Sequence, residues 1–401
     1  MAILAALLSL ALAPLGPVSK QNTTAESVER LSLELGIDFD HENAKAEHPT
    51  KEARESPGRP AVGTWLEAEL TRDDDAISEP PVPAREFLKT HRDAIGGIVS
   101  ALEKASPRWG DGDAVEGNGL AAWTNRLVPT VLLSRILVGA ALVEERDGHG
   151  LEADRALEAS WSLLQPLSKS PDVMSHLLSV AISRFQAGAL RRQKTASLVW
   201  MGRLTADDPY RAMIEAVQGD RWKDPSGLTN RYSDAYFEAR KSALDAIGRM
   251  SPCESAGISE EDLKKLTSSA LSGLSFEDRQ ITEILAGIAM PNLISAVHRA
   301  GRLAVDRELT LQVLRLRLAK EGEKDGKWPS ELGDPWSEVC PGVAYRYKTD
   351  GISVDIQFGA AVDAGTDRVL PLSFHSGKSR ILPTLTPAPT PTPAPVPPDE
   401  P

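Results

Sequence analysis

Two consecutive segments of this chain carry apolar residues at a spacing that only a helix places on one face. Val131 to Glu145 presents Leu133, Ile136, Leu137, Ala140 and Ala141, and Glu152 to Leu167 presents Ala153, Ala156, Leu157, Ser160, Leu164 and Leu167. A period near 3.6 gathers such residues into a stripe that another element has to cover. Gly148-His149-Gly150 separates the two segments, and so short a break makes the helices antiparallel neighbours. A third helix start follows at Ser170-Pro171-Asp172: a capping hydroxyl, proline at the first helical position and an acid facing the helix dipole. Its stripe is Val173, Leu177, Ala181, Ile182 and Phe185. Aromatic residues make up only 5% of the 401-residue chain, which favours helix packing over sheet sandwiches. The expected fold class is mainly α, a helical bundle.

The rest of the chain divides around that bundle. Residues 1–19 read as a signal peptide or membrane anchor, and 20–83 as a polar, Pro-rich linker with one short amphipathic piece at Val28–Leu35. The bundle spans 84–275. It opens with a helix over Arg85–Lys104 and holds shorter helices at Tyr210–Val217, Tyr232–Met250 and Glu260–Ser272. Residues 276–382 form a small α+β module. A long helix after Pro291 carries a stripe of Val297, Ala300, Ala304, Leu311, Leu314 and Leu318, with Arg299, Arg302, Arg315 and Arg317 on a solvated basic face. Val343, Tyr345 and Tyr347 alternate, Asp350-Gly351 offers a turn, and Ile352, Val354, Ile356 and Phe358 alternate again, which predicts an antiparallel β-hairpin. Val369–Phe374 would add a third strand. From Pro383 to Pro401, nine of nineteen residues are proline, a composition for a disordered, extended tail.

Charge and cysteine content bound the partners and the compartment. A net charge of −12 argues against nucleic acid, whose recognition needs clustered cations, and against a general attraction to anionic lipid. Two cysteines, Cys253 and Cys340, are too few for a thiolate zinc site. They form one disulfide if the chain is exported and stay reduced in the cytosol. Ala2–Leu15 is apolar except for Ser9 and Pro14. That length suits a signal peptide and falls short of the roughly 20 residues of a spanning helix. The localisation expected is export, either to the periplasm or to an anchored position on the outer side of the cytoplasmic membrane. Membrane contact is then confined to that N-terminal segment.

Several fragments approach catalytic motifs and miss their spacing. His41-Glu42 opens like a zinc-protease helix, but Lys45 occupies the second histidine position. Gly377-Lys378-Ser379 ends like a phosphate loop, with Leu372 where its first glycine belongs. Asp111 and Asp113 begin like a calcium loop, but Glu116 replaces the turn glycine. The seven histidines are scattered. No catalytic, cofactor-binding or metal-ligating residue is assigned, and no cofactor or small molecule is implied.

Glu283 to Ala300, the helix that follows, Gly326-Lys-Trp-Pro329, Asp334-Pro-Trp336 and Tyr345-Arg-Tyr347 occur in an order that resembles a type II secretion major pseudopilin, over roughly a quarter of the chain. The resemblance implies a long helix topped by a small antiparallel sheet. It also names Pro291, Trp328, Pro329, Trp336, Tyr345 and Tyr347 as structural anchors, with both tryptophans buried where helix and sheet meet. The helices on either side of Gly148 resemble one tetratricopeptide hairpin, without a second copy 34 residues away. The whole layout also resembles a set of bacterial exported helical proteins, a likeness that implies no activity. Two functional expectations follow. The first is a non-enzymatic envelope scaffold that binds a protein partner through a bundle groove or the hairpin edge. The alternative is an exported hydrolase whose site assembles Glu144, Glu145, His149 or His176 across the Gly148 turn.

Overall fold

In the computed structural model the described residues are 23–39, 56–107, 119–195, 197–219, 240–258, 261–262, 265, 276–360 and 372–377, with side chains of 119–126 and 276–292 left aside. The apolar N-terminal segment, the fragments at His41 and Asp111, Lys378 and the proline-rich tail all lie outside them. The described helices are α1 (Thr23–Glu34), α2 (Gly58–Leu70), α3 (Val82–Thr90), α4 (Arg92–Leu102), α5 (Gly119–Asp147), α6 (Gly150–Ser168), α7 (Val173–Leu190), α8 (Leu198–Ala206), α9 (Pro209–Gly219), α10 (Pro252–Ala256) and α11 (Phe276–Gly322). Residues 240–247 are also helical. One antiparallel sheet follows, β1 (Tyr345–Thr349), β2 (Val354–Phe358) and β3 (Ser373–Ser376), in the order β1-β2-β3. The protein is thus a helical bundle carrying a small α+β module near its C-terminus, the class expected.

The α5–α6 hairpin forms as its stripes require. Gly148 makes the turn with φ 88°, a left-handed conformation that a β-carbon would strain. Leu133, Ile136, Leu137, Ala153, Leu157, Leu163 and Leu164 are all buried. The cap of α7 sits two residues later than expected. Asp172, not Ser170, is the N-cap, and its carboxylate accepts from the Ser175 N–H at 2.8 Å. The Ser170 hydroxyl donates to that carboxylate instead.

The described parts of 20–83, residues 23–39 and 56–83, pack into the bundle where a linker was expected. α1 buries Ala25, Val28 and Ser32, and the chain after it buries Leu35, Ile37 and Phe39, while α2 buries Val62, Trp65, Leu66 and Leu70. Their stripes are narrow and the rest of each helix is polar, so average composition hides them. Arg85–Lys104 is two helices that meet at His91. Gly97 lies inside α4 because α1 crosses there: a β-carbon on it would stand 2.9 Å from Leu31 Cδ1.

The larger correction concerns α11. It is one helix of 47 residues that includes Pro291, about 70 Å long at 1.5 Å per residue, where the long helix was expected to start after Pro291. Every residue from 300 to 314 is buried. The helix serves three cores at once: Leu314 joins the main bundle core, Ile294 to Ala304 pack with α9 and residues 243–247, and Val305, Leu309, Val313 and Leu316 lie under the sheet. The predicted stripe is therefore shared among different neighbours, and its last member, Leu318, is exposed.

Three consecutive polar residues fix this helix, because successive side chains on a helix point about 100° apart. Asp306 accepts from Arg191 of α7 at 2.7 Å, and both side chains are buried. Arg307 donates to the Arg203 carbonyl in the last turn of α8 at 2.9 Å. Glu308 takes the Ser337 hydroxyl at 2.6 Å, the Tyr345 hydroxyl at 2.9 Å, the Val339 N–H at 3.3 Å and the Glu338 N–H. One turn of helix thus ties together α7, α8 and the loop leading into the sheet.

In the module, the Cys253–Cys340 disulfide joins α10 to that same loop, with Cα atoms 5.6 Å apart. Trp328 is buried and its indole N–H donates to the Ile352 carbonyl at 3.1 Å. Trp336 is 58% exposed, contrary to the expectation for both tryptophans. Its backbone, not its ring, does the work, bridging to Ala344. Ile352 is likewise exposed, at the turn rather than on the apolar face. On the far edge, His375 N–H donates to the Asp73 carbonyl at 2.7 Å and Asp74 bridges β3 in parallel. The α2–α3 connection thereby covers the outer edge of β3.

Candidate functional site

Where α2, α7 and α11 end together, two arginines deal with the carbonyl groups that helix C-termini leave unpaired. Arg192 donates to the Gly188 carbonyl of α7 at 2.9 Å, to the Arg72 carbonyl at 3.1 Å and to the Glu69 carbonyl in the last turn of α2. Arg317 donates to the Leu190 carbonyl at 3.0 Å and to the Arg191 carbonyl. Cations at helix C-termini also meet the negative end of the dipole. Burial, with Arg191 beside it, brings the Arg192 guanidinium down to about 10, and burial brings Arg317 to about 10 as well. Both stay protonated at neutral pH. The basic face expected to be solvated is therefore largely internal: Arg302 and Arg317 are buried and only Arg299 is exposed.

Above these two guanidiniums opens a cleft of about 710 Å³, at the seam between the bundle and the C-terminal module. Its cations are Arg146, Arg192, Lys194, Arg317, Lys320 and Lys324, against Asp75, Glu321 and Glu323. Lys194 and Lys324 are exposed, and neither forms an ion pair among the described residues. Lys320 Nζ stands 4.3 Å from the centre of the Trp328 ring, a cation–π contact that holds it at the cleft wall. Ala76 and Ile77 supply a short apolar stretch. In a chain of net charge −12, a cleft with six cations and three acids is a local reversal of sign.

The residues singled out from sequence mostly lie elsewhere. Tyr345 packs edge-on against Phe358 at 5.3 Å, and burial beside the Glu308 carboxylate drives its hydroxyl far above the usual phenol range. Tyr347 donates to the Pro329 carbonyl at 2.6 Å. Trp328 alone of the six anchors borders the cleft, and Pro291 lies within α11. Of the four acid and histidine candidates, His149 Nδ1 pairs with Glu144 Oε2 at 2.7 Å in the open. Glu145 is buried and accepts the Lys194 N–H at 2.9 Å. His176 bonds the Ser170 carbonyl at 2.7 Å, at the opposite end of α6, whose 19 residues span about 28 Å. The structure does not bring these four together.

The cleft cations went unrecognised in the sequence because they come from separate runs, Arg191-Arg192-Gln193-Lys194 and Arg317 to Lys324. The available signal was that two short basic runs stand out in an acidic chain, each just past the end of an apolar helical stripe. Among the described residues no group of three or more histidine, cysteine or acidic side chains is placed to hold a metal ion. One described stretch, Leu127–Asp147 in α5, is long and apolar enough to cross a bilayer. Most of it is buried in the bundle, and its Arg135 pairs with Glu67 at 2.8 Å. Comparison with family models, with curated proteins and with solved structures finds no match to this chain.

Proposed function

We propose that this protein is an exported, non-enzymatic scaffold of the cell envelope that holds a protein partner at the seam between its bundle and its C-terminal module. The observation that carries the reading is the basic cleft, which gathers six cations and one indole wall. Of the two docking modes expected, the groove is favoured over the hairpin edge. The outer edge of β3 is covered by residues 73–75, and β1 points the exposed charges of Arg346 and Lys348 outward, which discourages strand addition. The Cys253–Cys340 bond supports a location outside the cytosol, where such bonds persist. The long α11, with a small antiparallel sheet packed toward its C-terminal end, supports the pseudopilin likeness, and through it the envelope as the place of work.

Two measurements test this. Residues 1–60 fused to a reporter active only after export should give signal, and a silent, cytosolic fusion would refute the localisation. Crosslinking in intact cells followed by capture from the envelope fraction should enrich one defined protein. Recovery of the monomer alone after crosslinking counts against a scaffold.

A further inference from the structure

We infer that the ligand of this cleft is an acidic peptide segment, bound through its carboxylates. The inference rests on the scaffold reading and adds the chemistry of what is held. The floor cations, Arg192 and Arg317, are buried and donate to backbone carbonyls, so they contribute a fixed positive potential. The groups that can meet a ligand directly are the side-chain ammoniums of Lys194, Lys320 and Lys324, which come from two separate elements. Ammonium groups spread along a cleft suit several separate carboxylates. A phosphate is more often met by convergent donors at one point. Asp75, Glu321 and Glu323 in the same lining would repel a dense phosphodiester chain more strongly than a segment that carries fewer charges. A volume of about 710 Å³ is that of a site for a ligand of short-peptide size.

The test is direct binding to the full protein by calorimetry, with tetraglutamate as probe at low salt. Tetraglutamate should bind, and binding should weaken as salt rises, because exposed charges are screened beyond about 10 Å at 0.1 M. Tetralysine should not bind. Lys320→Gln with Lys324→Gln should lower affinity about tenfold, whereas Lys348→Gln on the exposed face of β1 should leave it unchanged. Lys320 also packs on Trp328, so Lys194→Gln with Lys324→Gln provides a second pair at exposed positions, expected to fold normally and to weaken binding similarly. Failure of tetraglutamate to bind, or equal binding by both double variants and the native chain, overturns the inference. So does complete displacement by equimolar inorganic phosphate or by an oligothymidylate, which would make the cleft a phosphate site. If envelope capture of a partner persists in variants that have lost tetraglutamate, the acidic ligand is refuted while the scaffold reading stands.

Discussion

α6 and α11 are both helices of the same bundle, and they are held in opposite ways. α6 buries one face (Ala153, Ala156, Leu157, Leu163, Leu164 and Leu167) and leaves Glu152, Arg155 and Glu158 toward solvent. α11 is buried on every side from 300 to 314, and that stretch includes Arg302, Asp306, Arg307, Glu308, Thr310 and Gln312. A helix with one covered face needs only an apolar stripe, whose attraction has no direction. A helix surrounded by neighbours has to place polar groups among them, and those groups are stabilising only when each finds its partner. Position is then set by directed contacts rather than by area.

The comparison can be broken where it is strongest. Asp306→Ala leaves the Arg191 guanidinium buried beside only Thr310 and a backbone carbonyl, and should cost about 3–5 kcal/mol, read as a fall in the urea midpoint. A cost below about 1 kcal/mol would show that polar contacts do not place α11. Leu163→Ala in α6 removes a fully buried side chain and should cost about 3 kcal/mol while leaving α11 in place. If it loosens α11 as much as the Asp306 change does, the two helices are not held differently.

A smaller effect should appear with pH. Burial lowers the pKa of His298, against the pull of its hydrogen bond to the Ser255 carbonyl. As pH falls through the ordinary value near 6.5, the unfolded chain takes up the proton first. Stability therefore drops until the buried ring is itself protonated, and the loss then levels off. His91 is lowered in the same direction, mainly by burial. His298→Gln should flatten part of this acid slope, and an unchanged slope would remove His298 from the account. The smallest effect is expected at the surface of α6. Arg155 and Glu103 pair at 2.6 Å in solvent, and Glu103→Gln should leave the midpoint unmoved.

What could be read from the sequence follows the same division. The hairpin on either side of Gly148 and the β-hairpin around Tyr345 and Tyr347 were legible because each has one apolar face with its own period, while the third strand, expected over Val369–Phe374, is Ser373–Ser376. α1 was legible only as the short amphipathic piece at Val28–Leu35, and α2 was not, because Val62, Trp65 and Leu66 form a thin stripe in polar surroundings. The helix of α11 was legible from its stripe, but its burial on every side from 300 to 314 was not, because no local pattern marks the neighbours that cover its polar face. Its arginines read as solvent-facing since nothing local records that Leu190 or Arg203 will end a helix against them. The cleft inherits that obscurity: Lys194 and Lys320 are far apart in sequence and meet only because α7 and α11 stop at the same level.

The placement of α11 carries a consequence for the order of events during synthesis. α11, on which α7, α8, α9 and α10 pack, is made after all four of them, and the strand that closes on Asp73 is made some 300 residues after it. A nascent chain that has reached α9 still has Val180 of α7 and Tyr210, Met213, Ile214 and Val217 of α9 without the residues of α11 that cover them. Contacts so remote in sequence slow the approach to the native state, and surfaces left waiting invite wrong partners. A chain built this way is suited to being kept unfolded until it is whole.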